Sequence, residues 1–582
     1  MNKSFSRFLG ILVTLMMMLS LMACGGGNEE LEKTTVNEAA TTAERSVEKP
    51  IIRLSTFVTA SSAGTMKSSE ETDVGKALKE KFGIVLDYVV FTGNEVERQN
   101  LVLAGGDYPD LISLRGEEIF QKYLQAGVPV QLDSYLEKMP SFKELYSEQI
   151  PYWRLSDKDG RLFKWEGMVP LDPKVVLSTY NIFVRSDVLE KQGYPKVLSA
   201  SSYIDLIRQG MKDFPVTGDQ STIGMAVPFA ESYGMLGIAP IMYEKGDTYP
   251  IAIGRTVIYN QKKDVYESLL ENEDVKDSLL FFNKLYREGL LDKESFTDKA
   301  QQVTDKANAH RPLAVWYVNW CITQANDTSI QKGDTSQYYI HLPIQSDAQI
   351  ARGDKMNLPS GISRNYESCI MTNKVKEADR ERVFEFLDWT CTDEGQRLLY
   401  SGIEGRHYTV ENGKVELTQE YIDNMNNPEY MQKAGMGKAN RISVFATPVI
   451  ADANGIPYRI EEIADDRVLA LKEKETDVYG RYGFKDLREW MSSIGTVFYA
   501  GLNSAVSVAA DSDLGKLNAM AQDYMGKNLP KTIMKPRNDA EFDMVWDEFI
   551  AGYQKMEPQK LVDELNKQYS EKKTILEEMK KK

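Results

Sequence analysis

The chain has 582 residues, with 70 basic and 86 acidic side chains and a formal net charge of −16. That balance argues against a protein that grips nucleic acid, whose phosphates need clustered Lys and Arg, and against a polybasic hold on anionic lipid. Its three histidines (His310, His341 and His407) lie far apart in sequence, which argues against a histidine-built zinc centre, and no metal or cofactor is expected.

The chain opens with Lys3 and Arg7, continues through the apolar run Phe8 to Ala23, and reaches Leu21-Met22-Ala23-Cys24 followed by three glycines. A basic start, a short apolar run and a small residue form an export signal. The run is shorter than the roughly 20 apolar residues that cross a bilayer. Leu-x-Ala-Cys resembles the lipobox of bacterial lipoproteins. That resemblance implies cleavage before Cys24, a lipid on its sulfur, and residence on the extracellular face of the bacterial cell membrane. The alternative is an ordinary export signal with a chance cysteine. Residues 25–49 are Glu, Thr, Asn and Ala with almost no bulky apolar side chains, so they cannot bury enough surface to fold. They read as a disordered tether with a reach of roughly 25–30 Å. Beyond Cys24 only Cys321, Cys369 and Cys391 remain, an odd number with apolar or aromatic neighbours. Buried reduced thiols are expected in preference to a disulfide framework, because a body this large needs no staples.

The folded part begins at Pro50. Ile51 to Phe57 and Ile84 to Phe91 read as strands by their β-branched content, with a helix from Asp73 to Phe82 between them on the spacing of Val74, Leu78 and Phe82. Asn94, with Glu97 three positions on, resembles a capping box opening a helix to Ala104. Gly105-Gly106 ends it, and Asp110 to Leu114 is the next strand. Strands alternating with helices predict an α/β layer with a largely parallel sheet, whose ligands bind beyond the carboxyl ends of the strands. Asp157-Lys158-Asp159-Gly160 is a turn before a strand from Arg161 to Trp165. It has the look of a calcium loop, but its glycine falls too early for the EF-hand pattern. A strand from Asn181 to Val184 leads into a helix capped by Ser186 or Asp187. Asp274 is expected to cap an amphipathic helix closed by Gly289. Further strands are expected at Tyr338 to Pro343 and Cys369 to Thr372, and a helix at Arg380 to Trp389. From Glu416 onward the pattern is mostly helical. It ends in a helix opened by Asn538 and another opened by Pro558.

Several segments together carry a family resemblance. These are Gly105-Gly106-Asp107-Tyr108-Pro109-Asp110-Leu111, the run Gly127 to Asp133, Tyr180 to Gln192 (YNIFVRSDVLEKQ), Phe386 to Gly413 (FLDWTCTDEGQRLLYSGIEGRHYTVENG) and the helices after Asp539. In this order they resemble the bacterial extracellular solute-binding lipoproteins of carbohydrate ABC importers (family 1 solute-binding proteins). The resemblance implies an α/β, two-lobed periplasmic-binding-protein-like fold of type II with a helix-rich second lobe. Residues 50–180 and 343–415 would form lobe one, and residues 181–342 and 416–582 lobe two. It also implies a monomer that captures a sugar, in this size class an oligosaccharide, and hands it to ABC permease subunits.

A sugar site needs flat aromatic faces and hydrogen-bonding side chains around them. Trp389 and Trp546 sit on apolar helix faces and read as core, and Trp153 ranks low. Trp165, Trp316 and Trp320 are the cleft candidates among the aromatics. Arg115, Arg185, Asp187, Arg364, Glu404, Arg406 and Tyr408 are the polar ones. Each has a structural alternative: a core position for the aromatics, and ion pairs, caps or a tight turn for the rest. Two other classes stay open. A peptide or other-solute receptor would share the fold. A surface glycosidase would need two carboxylates about 5 Å or 6.5–9.5 Å apart, and no motif singles out such a pair, so no catalytic residue and no enzymatic activity are assigned.

Overall fold

The computed structural model describes residues 50–59, 66–166, 181–246, 251–253, 255–359, 368–436, 451–463, 473–498, 502 and 505–581. The expected export signal with Cys24, the expected tether and Arg364 lie outside the described residues. The body, residues 49–582, is one compact unit.

Two sheets organise it. Their strands, in chain order, are β1 (Ile52–Thr59), β2 (Ile84–Phe91), β3 (Leu111–Leu114), β4 (Trp165–Glu166), β5 (Ile182–Arg185), β6 (Ile223–Ala226), β7 (Pro312–Trp316), β8 (Tyr339–Leu342) and β9 (Ser368–Met371). The first sheet runs β2-β1-β3-β9-β4 and the second β8-β5-β7-β6. Within the first, β1 is parallel to β2 in the register Ile52 to Ile84 and parallel to β3 at Thr56 and Leu111. The helix Asp73–Phe82 makes the crossover that a parallel pair requires. Thr72 caps its start, and Gly83, at φ 66°, turns the chain out of the helix and into β2.

The expected largely parallel sheet is mixed in both lobes, and the chain path explains why. After β4 the chain leaves the first sheet at Glu166 and enters the second at Ile182, beside the last residue of β7, Trp316. Entering at the carboxyl edge, β5 runs antiparallel to β7 and to β8. On its return, β9 enters the first sheet at Ser368, beside Leu114, the last residue of β3, and so runs antiparallel to β3. Both crossings use the carboxyl edges of the two sheets, so these edges bound the space between the lobes.

Each sheet has its own apolar core. The first gathers Leu54, Phe82, Leu86, Trp153, Trp165, Phe386 and Trp389, and it continues through Val415, Tyr421, Met436 and Tyr458 to Ile463. The first core therefore takes in side chains beyond residue 415. The second core gathers Ile182 to Ile344 and resumes at Val478. Phe542, Trp546 and Phe549 join it from the helix Asp539–Gln554, as do Met525 and Leu529 from Asp513–Met534. This lobe is the helix-rich one.

Local signals fare unevenly. Asn94 caps the helix Glu95–Gly105 by accepting from the Glu97 N–H. The helix Glu273–Arg287 is capped by Asn272, which accepts from the Asp274 N–H, and not by Asp274. Arg185, whose guanidinium has no acceptor to offer, holds the N-cap position of Ser186–Lys191 without a side-chain cap bond, and it donates to Asp187 at 3.0 Å. The strand expected from Arg161 shrinks to Trp165–Glu166. Cys321 and Cys369 are buried, Cys391 is half-buried, and all three are free thiols. Among the described residues no helix is long and apolar enough to cross a membrane.

Candidate ligand-binding site

The carboxyl edge of the second sheet is shaped by the exit from β7. Every residue of this strand is buried. Trp316 ends it inside the core, against the rings of Phe281 and Phe282 at 5.6 and 5.3 Å, with its indole N–H donating to the Ile238 carbonyl at 2.9 Å. Tyr317 then takes φ +67°, a conformation rare outside glycine, and donates its N–H to the Asn181 carbonyl at 2.7 Å. After this turn Trp320, the first residue of the helix Trp320–Gln331, is 43% exposed. The half-buried Tyr233 meets it edge to face at 5.8 Å. Tyr233 precedes the π-helical turn Gly234–Ile238, where a Cβ on Gly234 would meet the Phe229 carbonyl oxygen at 2.4 Å. Arg255, half-buried at φ +60°, donates to the carbonyl of the neighbouring Ser232. The result is two aromatic rings and a guanidinium on one rim. A pyranose offers such a rim an apolar face and hydroxyls.

The first lobe contributes Arg115, just beyond β3. Its side chain is 40% exposed and pairs with Glu95 at 2.5 Å. Behind it, at the ends of β4 and β9, lies a buried ionic cluster. Lys164, 1% exposed, donates to Glu117 at 2.8 Å and to Ser368 at 3.3 Å, above the Phe120 ring at 4.8 Å. Ser156 and Gln121 also donate to the Glu117 carboxylate, at 3.0 and 2.7 Å. Glu166 is buried beside them with one carboxyl oxygen unpartnered. Burial pushes its pKa up to about 7, although the Lys164 charge opposes the rise.

The other expected site residues fall elsewhere. Trp165 is 1% exposed in the first core, and Trp316 is fully buried, so neither shows a face to a ligand. Arg185 is also fully buried. It donates to Thr217 at 3.0 Å and the His310 carbonyl at 2.6 Å, and pairs with Asp187. Arg185 and Asp187 sit at the end of β5 beside Tyr339, the start of β8, and so at the edge away from the crossings. Arg406 ties Asp73 to Glu420 and lies over the Tyr430 ring at 5.9 Å. Tyr408 belongs to the first core, and Glu404 is an exposed residue bridged to Tyr408. At the heart of this tight loop the buried His407 accepts the Ile403 N–H at 2.8 Å and is held neutral by burial, its pKa lowered to about 4. The loop is structural. Of the expected residues, Arg115 and Trp320 remain on the facing rims. Tyr233, Tyr317 and Arg255 join them. The signal for these three is a positive φ or an irregular helical turn, which exists in the folded backbone and not in residue type.

Two acidic groupings that suggest metal are already engaged by basic side chains. Asp157 accepts from Arg161 at 2.8 and 3.0 Å and from the backbone N–H of residues 159 and 161. Asp292, Glu294 and Asp298 converge on the Lys306 ammonium at 2.7, 2.6 and 2.6 Å. A hollow of about 460 Å³ beside the helix Ala200–Asp213, lined by Lys196, Arg208 and Lys212 among others, contains none of the rim residues.

No protein-family model matches the chain. It is 24% identical over 310 residues to the fructooligosaccharide ABC transporter substrate-binding protein FusA of Streptococcus pneumoniae serotype 4, covering 50% of this chain and 54% of FusA. It is also 24% identical over 325 residues to lipoprotein LipO of Bacillus subtilis (strain 168), covering 54% of this chain and 60% of LipO. The chain thus matches little more than half the length of these curated relatives. The structure of Streptococcus pneumoniae FusA in complex with kestose superposes with a TM-score of 0.60 at 16% identity, covering 90% of this chain and all of that one. An HMO-binding, ABC-transporter-associated solute-binding protein of Bifidobacterium longum infantis gives 0.59 at 15% identity, covering 89% and 98%. The chain has the two-lobed fold of the solute-binding proteins, and its relatives in sequence include an ABC transporter substrate-binding protein.

Proposed function

We propose that the protein is a membrane-anchored, extracellular receptor that captures an oligosaccharide between its two lobes and delivers it to the permease subunits of an ABC importer. The observation that carries the reading is the Trp320–Tyr233 pair, an aromatic face left partly open at the carboxyl edge of the second sheet, with Arg255 beside it and Arg115 on the first lobe's rim. Lobe one, residues 50–166 and 368–463, closes on lobe two, residues 181–359 and 473–581, by hinge motion. The ligands of the similar proteins, a fructooligosaccharide, kestose and HMO, support a substrate of several sugar units. The protein binds and releases this substrate without cleaving it.

A ligand that binds the folded state alone stabilises it by about 2.7 kcal/mol at 100 times its Kd. A thermal-shift screen of residues 50–582 against fructans, milk-type and other oligosaccharides, monosaccharides and peptides is therefore expected to show a dose-dependent rise with one oligosaccharide class and no change in the sugar on chromatography. A rise with peptides alone would overturn the carbohydrate assignment, and conversion of the sugar would turn the reading to a glycosidase.

The anchor rests on Leu21-Met22-Ala23-Cys24 and the run that follows, which has almost no bulky apolar side chains. Cys24→Ser is expected to abolish palmitate incorporation and release the protein from bacterial membranes; unchanged membrane retention and labelling would exclude Cys24 as the lipid site.

A further inference from the structure

The C-terminal helix, Gln559–Met579, touches both lobes, through different faces. Towards the second lobe, the Asn566 side chain closes a pair of hydrogen bonds on the Tyr266 backbone, accepting from its N–H at 2.7 Å and donating to its carbonyl at 2.9 Å. One and two turns further on, Tyr569 and Lys573 both reach Asp264, each at 2.6 Å, and Tyr259 donates to the same carboxylate at 2.6 Å. Positions 566, 569 and 573 share a helix face. Their targets belong to the hairpin of Val257–Asn260 and Val265–Ser268. One face of that hairpin packs Val257, Tyr259 and Tyr266 against Leu561, Val562 and Leu565 of the helix. Ile258 and Leu269 on its other side belong to the second core.

The last turns of the helix meet the first lobe instead. Lys572 donates to the Leu155 carbonyl, and Leu576 is buried in the same cluster as Leu155. Lys580 lies 3.3 Å from the Tyr152 hydroxyl and 5.0 Å above its ring. The tip of Met579 lies 3.0 Å from where a Cβ on Gly160 would sit. Trp153, in the middle of this contact region, is part of the first core.

We propose that the C-terminal helix is an arm of the second lobe whose last two turns clasp the 152–160 segment of the first, so that this contact biases the balance between lobe arrangements. The two ends of the arm are unequal. On the second lobe it has a bidentate amide, a carboxylate shared by three donors and a set of buried aliphatic side chains. On the first it has a lysine on a carbonyl, a second lysine over a half-buried ring and two apolar contacts. When lobes rotate about a hinge, the lighter end yields first. Whatever energy that end contributes in one arrangement and not in the other shifts the population between them.

The inference rests on the two-lobed fold and not on the identity of the ligand, so it is tested on ligand-free protein. Spin labels on Leu101→Cys of the first lobe and Met544→Cys of the second, two positions 66% and 65% exposed, report the interlobe distance distribution. The clasp variant Lys572→Ala/Leu576→Ala is expected to broaden that distribution and move its mean by several Å. Asn566→Ala/Tyr569→Phe, at the opposite end of the arm, is expected to do the same. Glu577→Ala, on the exposed side of the same turn, leaves it unchanged. Distributions that superimpose for wild type and clasp variant would overturn the proposal. If the double variant does not fold, Lys572→Ala alone is judged by the same criterion.

Discussion

Glu166 shows what burial does to a single side chain. It is fully enclosed, and its pKa of about 7 stands above the 4.5 of a free glutamate. The folded protein therefore keeps a proton that the unfolded chain releases. The resulting stability is complete below about pH 4.5 and is lost as pH rises through 7. Glu166→Gln cannot ionise, so its stability advantage over wild type is expected to grow by about 2–3 kcal/mol between pH 5 and pH 8. Paired denaturant titrations check this, and an advantage that does not change with pH would contradict it. Nothing in the order Lys164-Trp165-Glu166 announces the effect, because it arises where β4, β9 and the helix Glu117–Gln125 meet. The tryptophans teach the same lesson. Trp316 and Trp320 stand four residues apart in one motif, yet a single left-handed residue, Tyr317, separates a core indole from a solvent-facing one.

At the scale of elements, the sequence is readable where a local signal and burial agree. The helix Asp73–Phe82 and the strand Ile84–Phe91 appear with their expected bounds, because spacing, cap and glycine all point the same way. The helix at 273 also appears, but the cap is Asn272, and Asp274 is drawn inside to pair with Arg352 at 2.6 Å. A capping-type residue near a helix start is a sound guide to the existence of the helix and a poor one to which residue does the capping. The charged and aromatic residues at 185, 187, 406 and 408 are legible as members of family-like segments, but their partners come from distant elements: Thr217 and the His310 carbonyl for Arg185, Asp73 for Arg406. Composition does not reveal such long-range pairings. The mixed direction of the sheets was hidden for a related reason, since it depends on which edge the chain uses to re-enter a lobe.

At the scale of the molecule, two sheets with separate cores are joined by crossings at their carboxyl edges, and the C-terminal helix binds them on a different surface. On the proposed function, the Trp320–Tyr233 pair beyond the carboxyl end of β7 is the face a sugar meets. Calorimetric titration of the oligosaccharide selected by thermal shift, into wild type and Trp320→Ala, tests the account most directly. Loss of the stacking face is expected to weaken binding about tenfold or more, equivalent to ~1.4 kcal/mol, while lowering the melting temperature of the ligand-free protein only modestly, because Trp320 is 43% exposed. Equal affinities in the two proteins would contradict an oligosaccharide site on this rim.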